Sequence, residues 1–208
     1  MQINKEGPHV FCFFGRSGSG KGVQSQRMIT HLKEISPERE VLYIETGRLF
    51  REFIAENEDH SADLVKEVID NGGLLPAFLP VWMWSDFLIK KYTGNESLVF
   101  DGIARRLRES PILEEALRFY KCVKPFVVYI DVSPECVMER LKKRGRIDDT
   151  EEKIKDRLEW YEENVVPSIE FFRKSESVNF VSVNGEQDPD EVHREIVGKT
   201  LRGENDKN

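Results

Sequence analysis

Five short, almost entirely apolar runs constrain the fold of this chain more than any other feature of its sequence. They cover residues 10–14, 41–44, 98–100, 126–132 and 178–183. Runs without polar alternation are typical of strands that are buried on both faces of a parallel sheet. Helical patterns separate them. We therefore expect an α/β fold in which helices cover both faces of a five-stranded parallel sheet.

Length, charge and cysteine content limit the function classes. The chain has 208 residues, which suits one compact domain with a small insert. Its net charge of -7 argues against general binding of nucleic acid or of an anionic membrane surface. There is no apolar run near the roughly 20 residues of a membrane span and no signal-peptide pattern, so we expect a cytoplasmic protein. Cys12, Cys122 and Cys136 have no metal-ligand spacing, which predicts free thiols and no zinc site.

Apolar spacing places two helices. One is expected to begin at Pro80, with a buried face formed by Val81, Trp84, Leu88 and Tyr92. Another is expected after the capping-box spacing at 149–152, with a kink near Pro167. Arg157 borders the apolar stripe of this second helix. The polar residues 202–208 are expected to fray.

The first apolar run leads directly into the stretch GRSGSGKG at residues 15–22. This stretch fits the pattern G-x-x-x-x-G-K between a strand and a helix-compatible segment, which is the context of a phosphate-binding loop. Its glycines let backbone N–H groups surround an anion, and Lys21 can reach the β and γ phosphates. Gly22 stands where most such loops carry the Ser or Thr that ligates magnesium. The loop therefore predicts a nucleoside triphosphate site without that hydroxyl.

The segment GSGKGVQ resembles the phosphate loop of the adenylate kinase family of nucleoside monophosphate kinases, in which glycine follows the lysine and magnesium is held largely through water. Ser17 replaces the usual proline and Val23 the usual threonine. The resemblance extends over residues 10–195 and implies a P-loop NTPase fold with three α/β/α layers. It assigns to the ATP site Gly15, Gly18, Ser19, Gly20, Lys21, Gly22, Val23, Arg140, Arg144 and Gln187.

Two further segments resemble the monophosphate site of this family. YIETGRLFRE at 43–52 is similar to S-T-G-D-x-x-R, with Arg48 in place of the aspartate, and LVFDGIARRLRE at 98–109 is similar to L-D-G-F-P-R, with Ile-Ala in place of Phe-Pro. The resemblance implies a monophosphate-binding insert at about 45–75, where arginine suits a phosphate dianion because its guanidinium offers a planar set of donors. It assigns to this site Thr46, Gly47, Arg51, Gly73, Leu75, Gly102, Arg105, Glu109, Arg146 and Arg157.

Glu109 leaves the base of the acceptor open. AMP-specific members of the family carry a glutamine at this position, whereas an ionised carboxylate can accept a hydrogen bond but cannot donate one. Guanine, with its adjacent donors, suits a carboxylate at least as well as adenine does. AMP is the expected acceptor because it is the commonest in the family, and a UMP/CMP or GMP kinase is the alternative.

The segment 135–169 resembles the part of the family that carries the transfer arginines. Phosphoryl transfer depends on positioning and on stabilisation of spread-out charge, so it needs no general base here. The resemblance assigns this work to Lys21, Arg105, Arg144, Arg146 and Arg157. It further implies that Asp101 holds Mg²⁺ through water. The alternative outside the enzymes is a sensor or assembly factor that binds ATP without turnover.

The lid of the family is reduced to a turn at about 143–149 because only Gly145 separates Arg144 from Arg146. Closure of a lid excludes water from such sites. We expect another element or a neighbouring subunit to take over this task. Whether the protein is a monomer or a homo-oligomer stays open.

Overall fold

The computed structural model describes residues 7–144 and 150–201, and of Arg144 only the backbone. Its centre is one sheet of five parallel strands in the order β2-β3-β1-β4-β5. The strands are β1 Val10–Phe14, β2 Val41–Glu45, β3 Ser97–Asp101, β4 Phe126–Asp131 and β5 Asn179–Asn184. Each predicted run differs from its strand by no more than one residue at either end, so the predicted α/β class is confirmed.

Helices follow every strand. They are α1 Lys21–Ile35, α2 Thr46–Glu56, α3 His60–Asp70, α4 Phe78–Lys91, α5 Ser110–Phe119, α6 Pro134–Arg144, α7 Glu151–Trp160, α8 Val166–Lys174 and α9 Pro189–Thr200. A short 3-10 turn, Leu107–Glu109, precedes α5, and a π-helical turn, Tyr161–Val165, joins α7 to α8. The helices are long enough to cross the sheet, as parallel connections require.

The two faces of the sheet carry separate apolar layers, which produces the predicted three-layer arrangement. Side chains along β1 alternate, with Cys12 and Phe14 on one face and Phe11 and Phe13 on the other. Helices α4, α5 and α8 pack on the first face, and helices α1, α6 and α9 pack on the second. A smaller third cluster around Phe50 joins α2 to α3.

Two helix starts differ from the sequence expectation. Helix α4 begins at Phe78, so Pro80 lies in its first turn. Proline is tolerated there because an N–H group in the first turn has no acceptor within the helix. Helix α7 is capped by Thr150, whose hydroxyl accepts from the N–H of Lys153 at 3.4 Å, and this cap differs from the predicted capping box. The helix is interrupted by the π-helical turn that precedes α8, and not by a kink at Pro167. Pro167 lies in the first turn of α8, where it fits a regular helix.

The remaining sequence expectations concern thiols and membranes. Cys12 is buried and Cys122 and Cys136 are half-buried, and all three are free thiols, as expected. Burial raises the pKa of Cys12, so it stays a neutral apolar side chain. Within residues 7–144 and 150–201, the helices are too short or too polar to cross a bilayer.

Candidate active site

The phosphate-binding loop occupies the carboxyl edge of the sheet, between the end of β1 and the start of α1. Gly20 caps α1 with a φ of 95°, a left-handed conformation that costs glycine little. A Cβ at Gly15 would lie 2.7 Å from the carbonyl oxygen of Ile130, so this position has no room for a side chain. Backbone N–H groups at the start of α1 therefore face the edge at which an anion binds most favourably.

Lys21 is folded back over the loop. Its Nζ donates to the carbonyl oxygen of Gly15 at 2.8 Å and to that of Arg16 at 2.9 Å. The hydroxyl of Ser19 is buried and has no hydrogen-bond partner among the described residues. An anion in the loop would supply an acceptor for the hydroxyl of Ser19, since a buried donor without a partner is costly. Val23 lies two residues into α1 and is half exposed.

Asp101 stands beside the loop where β3 ends. Its carboxylate is 8% exposed and accepts from the hydroxyl of Tyr43 at 3.3 Å. A Cβ at Gly22 would lie 3.6 Å from its Oδ2, so the carboxylate takes up the space beside the glycine that replaces the usual hydroxyl residue. Burial raises the pKa of Asp101, while Lys21 and Arg105 lower it. A carboxylate oxygen between a lysine and an arginine fits a hydrated divalent cation bound to phosphate.

The start of α2 forms the opposite wall of the site. Thr46 is 6% exposed, and its Oγ1 has no hydrogen-bond partner in the part of the chain that the structure describes. Arg51 pairs with Glu45 at 3.1 Å and is otherwise largely exposed. A Cβ at Gly47 would lie 3.3 Å from Nη1 of Arg51. The absence of a side chain at Gly47 therefore lets the guanidinium approach the start of α2.

The loop after β3 holds Arg105 by its backbone. The N–H of Arg105 donates to the carboxylate of Glu109 at 3.0 Å, and its Nε donates to the carbonyl oxygen of Gly102 at 2.9 Å. Burial lowers the pKa of Arg105, and the carboxylates of Asp101 and Glu109 oppose this shift. Glu109 is 1% exposed, and burial raises its pKa. The loop thus contains one half-buried guanidinium near two buried carboxyl groups.

A cavity of about 340 Å³ joins these parts. The predicted site residues that line it are Gly15, Lys21, Thr46, Gly47, Arg51, Gly73, Leu75, Gly102, Arg105, Glu109 and Arg157. Arg157 is half-buried and donates from Nε to the carbonyl oxygen of Lys153 at 3.1 Å. The phosphate loop, the predicted monophosphate-binding insert and the predicted transfer residue Arg157 therefore share one cavity. This juxtaposition depends on the fold, since Lys21 and Arg157 are far apart in sequence.

Other predicted residues lie outside the cavity wall. Arg140 donates to the carbonyl oxygen of Gly185 at 2.9 Å, and Gln187 donates to the carbonyl oxygen of Asn184 at 3.0 Å. Both contacts lie at the turn between β5 and α9. Arg146 lies outside the described residues, and the side chain of Arg144 does too.

Sequence reasoning did not assign the apolar part of the wall. Phe50, Ile69, Pro80, Ile103, Trp160 and Val165 line the cavity. An apolar residue carries no sign of whether it faces a core or a ligand, so only packing identifies these as wall residues. Among the described residues, no group of three or more His, Cys, Asp or Glu side chains is arranged to hold a metal ion directly.

Comparisons with known proteins identify the family. The family model described as adenylate kinase matches residues 13–177. Adenylate kinase 1 of Nostoc sp. is 30% identical over 184 residues, which cover 88% of this chain and 94% of the relative. Adenylate kinase isoenzyme 1 of Homo sapiens is 29% identical over 188 residues, which cover 86% of this chain and 88% of the relative. The chain therefore belongs to the adenylate kinase family and is a phosphotransferase whose acceptor is a phosphate group.

Proposed function

We propose that the protein transfers the γ-phosphoryl group of ATP reversibly to AMP, which yields two ADP. The observation that carries this proposal is the shared cavity, whose wall includes Lys21 of the phosphate loop as well as Arg51 and Arg105. A wall with two groups of cationic side chains suits transfer between two nucleotides better than hydrolysis of one. The relatives named adenylate kinase support AMP as the acceptor.

On the donor side, the loop N–H groups and Lys21 bind the β and γ phosphates of ATP. Lys21 exchanges its bonds to the carbonyl oxygens of Gly15 and Arg16 for bonds to phosphate oxygens. Arg140 and Gln187, which contact the turn between β5 and α9, would bind the base of ATP. Since the exchanged bonds are similar in kind, the lysine gains mainly from the negative charge of its new partners.

On the acceptor side, Arg51 and Arg105 bind the phosphate of the monophosphate, and Thr46 supplies a hydroxyl. Arg157 would stabilise the charge that develops during transfer, and the family resemblance adds Arg144 and Arg146 to this role. Several fixed cations stabilise the charge that spreads over the phosphoryl oxygens, and this stabilisation is the main catalytic requirement. An ionised acceptor phosphate needs no base to activate it.

Asp101 would hold Mg²⁺ through water molecules. A bound Mg²⁺ ion neutralises charge on the β and γ phosphates and orients them. The buried carboxylate beside Gly22 fits this role because it presents an oxygen donor to the loop. With glycine at position 22 the carboxylate lies within reach of the loop without a protein hydroxyl between them.

Glu109 bears on the choice of base. Its carboxylate already accepts the N–H of Arg105, and burial raises its pKa. Both facts weigh against its use as a charged acceptor for guanine, so we favour AMP over GMP. The apolar residues Phe50, Leu75 and Pro80 are available to hold the flat base of the acceptor.

The first experiment is a substrate panel. Purified protein is incubated with ATP, Mg²⁺ and each of AMP, GMP, CMP and UMP, and the formation of ADP and of the second diphosphate is measured. We expect turnover with AMP that exceeds turnover with the other three. A preference for another monophosphate would contradict the AMP assignment alone. Absence of turnover with all four would contradict kinase activity and favour an ATP-binding sensor.

A further inference from the structure

Arg16, the second residue of the phosphate loop, makes contacts that nucleotide binding does not explain. Its guanidinium donates to the carbonyl oxygen of Val132 at 2.9 Å and to the carboxylate of Glu162. It also lies over the ring of Tyr161, 4.9 Å from the ring centroid. The side chain is only 12% exposed. Its guanidinium thus contacts the residue after β4 as well as Tyr161 and Glu162, and Arg16 is not among the residues that line the cavity.

The segment that Arg16 contacts runs over the carboxyl edge of the sheet. We define residues 151–165, helix α7 and the π-helical turn, as the crossing segment. Ile154 at its start is buried with the helices α1, α6 and α9, whereas Tyr161 and Val165 at its end are buried with α4, α5 and α8. Arg157 and Trp160 of the same segment line the cavity. The segment therefore connects the two faces of the sheet directly above the phosphate loop.

The guanidinium of Arg16 forms an ion pair that additional contacts support. An exposed ion pair by itself contributes little, at about 0–1 kcal/mol. Here Glu162 is half exposed, but the guanidinium is nearly buried and has a carbonyl and an aromatic face as additional partners. Removing a buried charge-assisted donor leaves its partners unsatisfied and costs more than an exposed pair does. Arg16 thus connects the phosphate loop to the crossing segment through contacts that stabilise both.

We propose that Arg16 is a positioning residue that ties the phosphate loop to the crossing segment and thereby holds Arg157 at a fixed place relative to the donor phosphates. The proposal rests on the proposed function, since it concerns phosphoryl transfer. Only the five residues 145–149 separate the end of α6 from the cap of α7. Arg16 acts through its contacts with the crossing segment and touches no reacting atom.

The kinetic test compares Arg16→Gln with Arg173→Gln. Arg173 is a matched control, because it also pairs with a carboxylate, that of Glu170, and lies over an aromatic ring, that of Phe180 at 4.6 Å. It lies on α8, outside the cavity. We expect Arg16→Gln to lower kcat by up to about 100-fold, the loss that follows a misplaced catalytic group, with a much smaller change in KM for ATP. Arg173→Gln should keep the kcat of the wild type.

A merely structural role would give a different result. Both arginine variants would then lose thermal stability alike, and each would keep its kcat at a temperature well below its melting point. Arg16→Lys serves as the conservative variant: lysine reaches Glu162 but cannot bond the carbonyl oxygen of Val132 at the same time. A kcat between those of the wild type and Arg16→Gln is expected. An unchanged kcat in Arg16→Gln would overturn the proposal.

A second measurement does not depend on turnover. Amide hydrogen exchange of residues 151–165 is followed with and without ATP and Mg²⁺. In the wild type, occupation of the loop should slow exchange in the crossing segment, and in Arg16→Gln this slowing should be lost although calorimetry shows that ATP still binds. Slowing that persists in the variant would overturn the tie. Absence of turnover in the wild type would contradict the kinase function, and this measurement would still decide the tie.

Discussion

Ala104 holds a backbone conformation that its residue type rarely adopts. Its φ is 48°, in the left-handed region. The resemblance to L-D-G-F-P-R would place a proline here, and a proline cannot adopt this φ because its ring holds φ near about −65°. The loop with Ile-Ala at these positions therefore has a backbone conformation that a loop with Phe-Pro could not adopt. Its shape is held by the bond between the N–H of Arg105 and Glu109.

Substitution of Ala104 tests this loop. Ala104→Gly should raise the free energy of unfolding by up to about 1 kcal/mol, since relief of left-handed strain of about 1–2 kcal/mol exceeds the greater flexibility of glycine in the unfolded chain. Ala104→Pro should lower it by more than about 1 kcal/mol, because the native φ is incompatible with proline. Urea denaturation measures both. A proline variant as stable as the wild type would contradict the loop conformation.

Glu109 should make stability depend on pH. Its folded-state pKa is raised above the ordinary value of 4.5, so the folded protein binds the proton more tightly than the unfolded chain. The contribution of this group therefore becomes less favourable as pH rises from 4.5 towards the folded pKa, and then stays constant. Glu109→Gln removes this dependence while keeping an oxygen acceptor. We expect the variant to gain stability relative to the wild type between pH 4.5 and pH 8 in urea titrations; a constant difference would contradict the shift.

At the scale of elements, the first turn of α7 supports Arg157. Thr150 caps this helix, and the carbonyl oxygen of Lys153 in the same turn accepts from the guanidinium of Arg157. The structure thus couples a capping contact to the position of a proposed transfer residue. The sequence indicated a helix here, but the π-helical turn that follows has no signal in the apolar spacing. This turn contributes Tyr161 and Val165 to the cavity wall.

Thr150→Ala should lower the free energy of unfolding by about 0.5–1 kcal/mol, the lower range for loss of a cap. It should also lower kcat, because fraying of the first turn releases the partner of Arg157. Thr150→Ser, which keeps the accepting oxygen, is the control for kcat and stability. Asp59→Ala removes the cap of α3, where Asp59 accepts from the N–H of Ala62 at 2.9 Å, and should lower stability without lowering kcat at saturating substrates. Equal kcat values in Thr150→Ala and the wild type would contradict the coupling.

In the molecule as a whole, the helices α2 and α3 of the predicted insert share a smaller apolar core than the sheet does. Its apolar cluster has three buried members, Phe50, Val65 and Leu75, whereas the two clusters on the sheet are far larger. A side-chain bond from Arg106 to the carbonyl oxygen of Leu74, 3.0 Å long, links the insert to the loop after β3. A unit with few buried apolar contacts opens at a lower free energy than the core does.

Hydrogen exchange in the free protein should show this difference. We expect amides of α2 and α3 to exchange faster than amides of β1 and β4 by at least about tenfold, which corresponds to about 1.4 kcal/mol of opening free energy. AMP should slow exchange in α2 more than in β1, since the proposed monophosphate site includes the start of α2. Uniform protection of insert and sheet would mean that the molecule opens only as a unit.

The five strands, their parallel arrangement and the phosphate loop could be predicted from the amino-acid sequence alone. Continuous apolar runs and a glycine-rich turn are local patterns, and each of them is typical of one kind of structure. Together with the family resemblance, the sequence indicated fewer than half of the residues that line the cavity. Tertiary structure alone decided that Arg16 faces the crossing segment, that Glu109 binds a backbone N–H, and that Phe50 and Trp160 form part of the wall. These outcomes depend on which surfaces pack together, and a residue type does not specify its distant partner.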